Sequence, residues 1–332
     1  MNFIKKKILI FLYPNINFKF LTEFNFFKNN INFLNHHPII KFFKTRQNKT
    51  KKNYVYDFIG AHSHKSYTGK DFLNTKNGSI NIDHEYFEWI SVLLSVYQSS
   101  NSYTFYEVGA GYGRWGVRAF HACQLLKKSN IRINFFEAEP LHHKFLKQHI
   151  QLNGLQKKHY KIFKGILSDT IKKYFYVEAP KTFGDSTALN WYGQSTIKDY
   201  EKNPKKLDDN YHGHDLYIFP SGWKAIKLNS ISFKKIIGKD KLIDLIDFDI
   251  QGEEYNLIRN NVNILNVSTK RLHISTHSSE IHKTIKKIML KNGWLKVYDF
   301  DEHSKNKTPF GTLSFEDGLL VFINPRIKQY FG

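Results

Sequence analysis

A single cysteine, Cys123, stands in a chain of 332 residues. That excludes an intramolecular disulfide and any multi-cysteine metal site, and it suits a reducing, cytoplasmic setting. Long apolar runs are missing too: no stretch approaches the ~20 residues of a membrane-spanning helix. The apolar run from Ile8 to Tyr13 falls short of the ~7–15-residue core of a signal peptide, and Pro14 closes it without a small-residue cleavage site. Acids are scarce at the start, where residues 1–53 hold many lysines and only Glu23. Phosphate-binding signatures are absent as well. No Gly-Lys-Ser/Thr follows the glycine-rich turn at 109–113, and Arg114 stands where a dinucleotide fingerprint needs its third glycine. The chain shows no internal repeat.

The formal charge of +21, from 50 Lys and Arg against 29 Asp and Glu, invites a nucleic-acid reading. The excess is uneven, however, and Lys, Asn, Ile and Phe are abundant together, which points to a general compositional bias rather than a basic face. Nucleic acid is therefore not the expected partner. The basic, Phe-rich arm of residues 1–53 has the composition to lie on an anionic membrane surface, or to pack irregularly on the domain.

What the chain does have is Phe105-Tyr-Glu-Val-Gly-Ala-Gly-Tyr-Gly-Arg-Trp115. Thr104 to Val108 reads as a buried strand and Val117 to Leu126 as the helix after the turn. Gly109, Gly111 and Gly113 permit backbone conformations closed to other residues and a close approach to a ligand. Glu107, beside that turn, would repel a pyrophosphate but suits a ligand carrying positive charge. S-adenosylmethionine, with its sulfonium and amino group, is such a ligand.

From Thr104 onward the pattern alternates strand and helix. Strands are expected at 132–136, 160–167, 241–250 and 271–276, with helices at 141–153, 253–261 and 281–292 and two late strands at 295–300 and 318–323. Alternation of this kind predicts a doubly wound, mostly parallel α/β sheet of seven strands, Rossmann-like, with an antiparallel edge where no helix separates the last two strands. Residues 54–100 read as a helical lead-in, residues 172–223 as an irregular insertion that would cover the substrate, and residues 327–332 as a tail.

In such a sheet the ligand lies beyond the carboxyl ends of the strands. Glu137 and Glu139 end the second strand on one side, where an acid would take the ribose hydroxyls, Glu139 being the better placed; helix capping is the competing role. Ser168 and Asp169 end the third, where they would reach an adenine edge or form a turn. Asp247 and Asp249 alternate onto one face at the end of the fourth, and buried unpaired carboxylates there are costly. His277 ends the fifth, one loop from Asp249, and titrates near neutrality. No metal site is assigned, although Asp247, Asp249 and His277 together would suit a hard cation.

These motifs resemble the FkbM family of S-adenosylmethionine-dependent methyltransferases. The resemblance rests on Asp249-Ile-Gln-Gly-Glu-Glu254, Tyr86-Phe-Glu-Trp89, Gly109-Ala-Gly-Tyr-Gly-Arg-Trp115, Glu137-Ala-Glu-Pro140, Trp191-Tyr-Gly-Gln194, Thr276-His-Ser278 and Asn324-Pro-Arg326. It covers residues 54–326. It departs from the family at Asp247, where Lys or His is usual, and at Gln251, where Glu is commoner. The resemblance implies a class I methyltransferase that binds S-adenosylmethionine through Glu107, Gly109, Gly111, Gly113, Glu137, Glu139, Ser168, Asp169 and Asp249. It also implies O-methylation of a small-molecule or glycan acceptor, commonly at a sugar hydroxyl. Asp249 and His277 are the expected catalytic pair, Asp249 by location and His277 by its ordinary pKa, with Trp191 and Tyr192 suited to stacking on a sugar ring.

Overall fold

The computed structural model describes residues 37–43, 52–68, 80–171, 173–180, 194–197 and 201–327. Most of the arm, and both Trp191 and Tyr192, lie outside the described residues. The central sheet is built from β1 (Ser102–Val108), β2 (Asn130–Glu137), β3 (Tyr160–Lys164), β4 (Leu245–Phe248), β5 (Arg271–Thr276), β6 (Leu295–Phe300) and β7 (Gly318–Ile323). Their spatial order is β6-β7-β5-β4-β1-β2-β3. Pairings from β3 through β5 are parallel, while β7 runs antiparallel to both β5 and β6. A hairpin, Ser304–Thr308 with Gly311–Phe315, joins β6 to β7 in place of a helix, and so the chain returns antiparallel. The last two strands therefore pair antiparallel at the sheet edge, as expected, with β6 outermost.

Helices α1 (Tyr86–Tyr97), α2 (Arg114–Leu125) and α3 (Pro140–Leu152) cover one face. The other carries α4 (Phe233–Ile237), α5 (Glu254–Ser268) and α6 (Ser279–Lys291). Period-2 alternation divides the strand residues between two cores. Tyr103 and Phe105 pack with α1 and α2, whereas Tyr106 and Val108 pack with α5 and α6. By the same alternation Glu107 of β1, Asp247 of β4 and His273 of β5 face the α1–α2 side, as one row in register across three strands. The strand order reverses between β1 and β4, which is where a doubly wound sheet opens a crevice.

Three regions differ from the expected pattern. Residues 172–223 are not irregular where described: they contribute to a five-stranded antiparallel sheet, Ser195–Thr196, Tyr174–Glu178, Lys224–Lys227, His214–Ile218 and Lys205–Tyr211 in spatial order. Its apolar face packs on Ile166 and Ala138, over the ends of β2 and β3. The lead-in opens with a hairpin, Tyr54–Tyr56 and His62–His64, before α1. A piece of the arm, residues 37–43, docks on α1, burying Ile39 and Phe43 and donating His37 N–H to the Tyr86 hydroxyl at 2.6 Å. Among the described residues no helix is long and apolar enough to cross a membrane.

Candidate functional site

A cavity of about 440 Å³ opens at the switch point, beneath the second sheet. The glycine turn forms one wall. Glu107, 2% exposed, accepts the N–H groups of Trp115 at 2.9 Å and Gly116 at 2.8 Å, so its carboxylate anchors the first turn of α2. Burial pushes its pKa up to about 8, against the pull of those two donors. Gly109 and Gly111 line the cavity, and Gly113 stands behind them as the cap of α2. The glycines serve the protein first. A Cβ on Gly109 (φ +84°) would lie 1.8 Å from the Asp249 carbonyl oxygen, and one on Gly113 (φ +78°) 2.4 Å from Leu146 Cδ1.

At the end of β2 the two glutamates part. Glu137 lines the cavity, accepting Gly111 N–H at 2.5 Å and Glu139 N–H at 2.8 Å. Burial raises its pKa to about 8. Glu139 is fully buried outside the cavity, capping α3 through His142 N–H. The expectation that Glu139 is the better placed is thus reversed, because the strand ends at Glu137 and the chain turns into the helix. Ser168 and Asp169 do not reach the cavity either. Gly165 (φ +142°) breaks the third strand, and Ile166–Leu167 leaves to pair with Ser230–Ile231. Asp169 accepts from Ser232 Oγ at 3.2 Å, Lys234 N–H at 3.0 Å and Asn261 Nδ2, tying α4 to α5, while Ser168 Oγ bonds Thr170. Gly165, Ile166 and Leu167 line the cavity in their place.

The loop after β4 is shaped by Glu254. This buried carboxylate opens α5 and folds back to accept Ile250 N–H at 3.0 Å and Gly252 N–H at 2.9 Å. That closure explains the spacing of Asp249-Ile-Gln-Gly-Glu-Glu254, with Gln251 (φ +53°) and Gly252 (φ +109°) both in left-handed backbone. Asp249, its side chain 51% exposed, then faces the cavity with Oδ1 3.2 Å from His277 Nε2. His277 Nδ1 lies 3.2 Å from Glu254 Oε1 on the other side of the ring. Burial opposes charge on this imidazole, but the two flanking carboxylates outweigh it and push the pKa up to about 11. His277 is therefore an imidazolium at neutral pH, and its ordinary pKa does not recommend it as a base here.

Asp249, Glu254 and His277 are also a group that could hold a metal ion, their ligand atoms within 4.8 Å of one another. Asp247 is not part of it. The ring offers each carboxylate a different nitrogen, and a single ion binds only one nitrogen of an imidazole, so the arrangement favours an imidazolium ion-paired on both sides. Asp247, 3% exposed, sits on the cavity floor with its Oδ1 3.5 Å from His273 Nδ1. Burial and the nearby Glu107 and Asp249 hold its carboxyl well above the usual range, and burial lowers His273 to about 3.

Sequence reasoning passed over the wall on the α1 side. Glu85, Glu88 and Arg114 line the cavity, the Arg114 guanidinium forking onto Glu85. Arg118 lies between the rings of Trp89 (3.9 Å) and Trp115 (4.5 Å) and pairs with Asp57 at 3.3 Å. Tyr86-Phe-Glu-Trp89 and Gly-Arg-Trp115 are therefore halves of one cluster. Glu316 and Asp317, from the turn before β7, complete the rim. Glu254 and Glu88 stood inside motifs already quoted, whereas the Glu316–Asp317 turn carried no signal.

No family model matches the chain. Over 257 residues, 73% of this chain and 80% of the relative, it is 24% identical to a protein of Jannaschia sp. (strain CCS1) named "Putative methyltransferase". Among solved structures it is similar to methyltransferase FkbM of Methylobacillus flagellatus KT, at 14% identity and a TM-score of 0.36. That match covers 68% of this chain but 44% of the other, less than half its length. It is also similar to the O-methyltransferase of Bacillus cereus in complex with SAH, at 10% identity and a TM-score of 0.38 over 76% of this chain and 85% of that one. The architecture is an α/β doubly wound, mostly parallel seven-stranded sheet.

Proposed function

We propose that the protein is an S-adenosylmethionine-dependent methyltransferase that methylates a hydroxyl, as the FkbM resemblance implies for sugar hydroxyls of glycans or related metabolites. The observation that carries this reading is a half-exposed carboxylate, Asp249, fixed by His277 in the same cavity as Glu137 and the glycine turn. The residues present fit the cofactor. Glu137 takes backbone N–H groups on both oxygens and keeps acceptor capacity for a ribose hydroxyl. Phe136, Ile166 and Leu167 offer an apolar seat for adenine, and the Gly109–Gly111 backbone borders the remaining end. When bound, S-adenosylmethionine supplies an electrophilic methyl group on a sulfonium.

The chain's own part is proton removal and positioning. Asp249 accepts the proton of the acceptor hydroxyl, while the imidazolium of His277, braced by Glu254, fixes the carboxylate. Incubating the full-length protein with methyl-labelled S-adenosylmethionine and surface-glycan extracts tests the reading. Asp249→Asn should bind S-adenosylhomocysteine normally yet lose ~10²–10⁴-fold in transfer. Equal transfer by that variant would remove Asp249 as the base.

A further inference from the structure

The cavity is acidic in a chain of net charge +21, and its carboxylates come from several elements: Glu85 and Glu88 beside and on α1, Asp247 on β4, Asp249 in the next loop, and Glu316 with Asp317 in the turn before β7. Arg114 neutralises Glu85, and His277 lies between Asp249 and Glu254. Glu88, Glu316 and Asp317 have no cation within ion-pair distance among the described residues. Asp247 has only His273, which burial keeps neutral, and its Oδ1 is buried without a hydrogen-bond partner among the described residues. Such a group is expensive to leave unmatched.

Resting on the reading of this cavity as an S-adenosylmethionine site, we propose that the acceptor carries an ammonium group, as an amino sugar with a free amine does, held against Glu88, Asp247, Glu316 and Asp317. Among the described residues these four carboxyl groups have no cationic ion-pair partner, Asp247 facing only the neutral His273, and the cofactor brings one net positive charge. The mutual repulsion is visible in the groups themselves. Burial, then Glu85 and Asp249 against the pull of Arg114, hold Glu88 well above the usual carboxylate range, and burial with Asp249 raises Asp317 against the pull of His277. A protonated amine has no lone pair, so this group is a handle, and a hydroxyl of the same molecule remains the nucleophile facing Asp249.

The test is calorimetric titration of the full-length protein, saturated with S-adenosylhomocysteine, with glucosamine, N-acetylglucosamine and glucuronate. Glucosamine should bind about tenfold more tightly than its N-acetyl form, and glucuronate should not bind. The double variant Glu316→Gln with Asp317→Asn, on an exposed turn, should keep its affinity for S-adenosylhomocysteine and lose most of the preference. Added magnesium or chelator should change neither result. Equal or tighter binding of N-acetylglucosamine, no binding of any of the three, a preference untouched in the double variant, or sugar binding that needs magnesium would overturn the proposal. Failure of S-adenosylhomocysteine to bind at the outset would instead remove the cofactor reading beneath it.

Discussion

Replacing Gly109 with alanine places a methyl group 1.8 Å from the carbonyl oxygen of Asp249, a backbone atom that cannot rotate away. Left-handed backbone at φ +84° costs a non-glycine residue ~1–2 kcal/mol. Forcing the β1 turn and the β4 loop apart adds ~1–3 kcal/mol, as overpacking does elsewhere. The sum, ~2–5 kcal/mol, is a large share of a native stability of ~5–15 kcal/mol, and for a chain of this length it should lower the thermal midpoint by roughly 3–7 °C. Because the loop that moves carries Asp249, methyl transfer should fall as well. Gly154→Ala is the control: its φ is +71°, but nothing lies within 4 Å of the added carbon. It should lose only the strain of ~1–2 kcal/mol. Circular dichroism melts of both variants decide the matter. Equal midpoints would show that the two loops are not in contact at Gly109.

Two further perturbations probe the charges. His277 has a folded pKa raised from 6.5 to about 11, so the stability it contributes is fully present below about pH 6.5 and is lost as pH climbs toward 11. The gap in thermal midpoint between wild type and His277→Gln should therefore be widest near pH 6.5 and close in alkali; a gap that widens with pH would contradict the imidazolium assignment. Lys270 Nζ lies 2.6 Å from Asp244 Oδ1, both side chains almost fully buried, so Lys270→Met should cost ~3–5 kcal/mol in urea unfolding. Adding Asp244→Asn should recover part of that loss, and no recovery would mean that the lysine acts through packing alone.

The sheet was legible because its signal is local: its strands and all its covering helices but the short α4 announced themselves by periodicity, and the connection lengths forced parallel pairing. The glycine turn and the β4 loop were legible for a related reason. The hydrogen bonds that shape them run over a few residues, as when Glu107 accepts from Trp115 and Gly116 and Glu254 reaches back to Ile250 and Gly252. Choices that hung on a single strand end were not. Glu137 and Glu139 share a face on paper, and only the entry of Pro140 into α3 sends Glu139 into a cap. Ser168 and Asp169 were drawn away by the break at Gly165, which a lone glycine in an apolar run does not reveal. The acidic rim was hidden because Glu85, Asp247 and Asp317 meet only after the chain has closed. The Asn324-Pro-Arg326 stretch is a clasp: Asn324 Nδ2 donates to the carbonyls of Asn266 at 2.8 Å and Thr269 at 3.0 Å, holding β7 to the end of α5.

The central claim is that this cavity holds S-adenosylmethionine with Glu137 at its ribose. Titrating the wild-type protein with S-adenosylhomocysteine in a calorimeter tests it most directly, beside Glu137→Ala and Ser168→Ala. One saturable site is expected, weakened by ~1–3 kcal/mol in Glu137→Ala, where a buried hydrogen-bonding partner is lost, and unchanged in Ser168→Ala, whose hydroxyl bonds Thr170 outside the cavity. No saturable binding by the wild type, or full affinity in Glu137→Ala, would contradict the account.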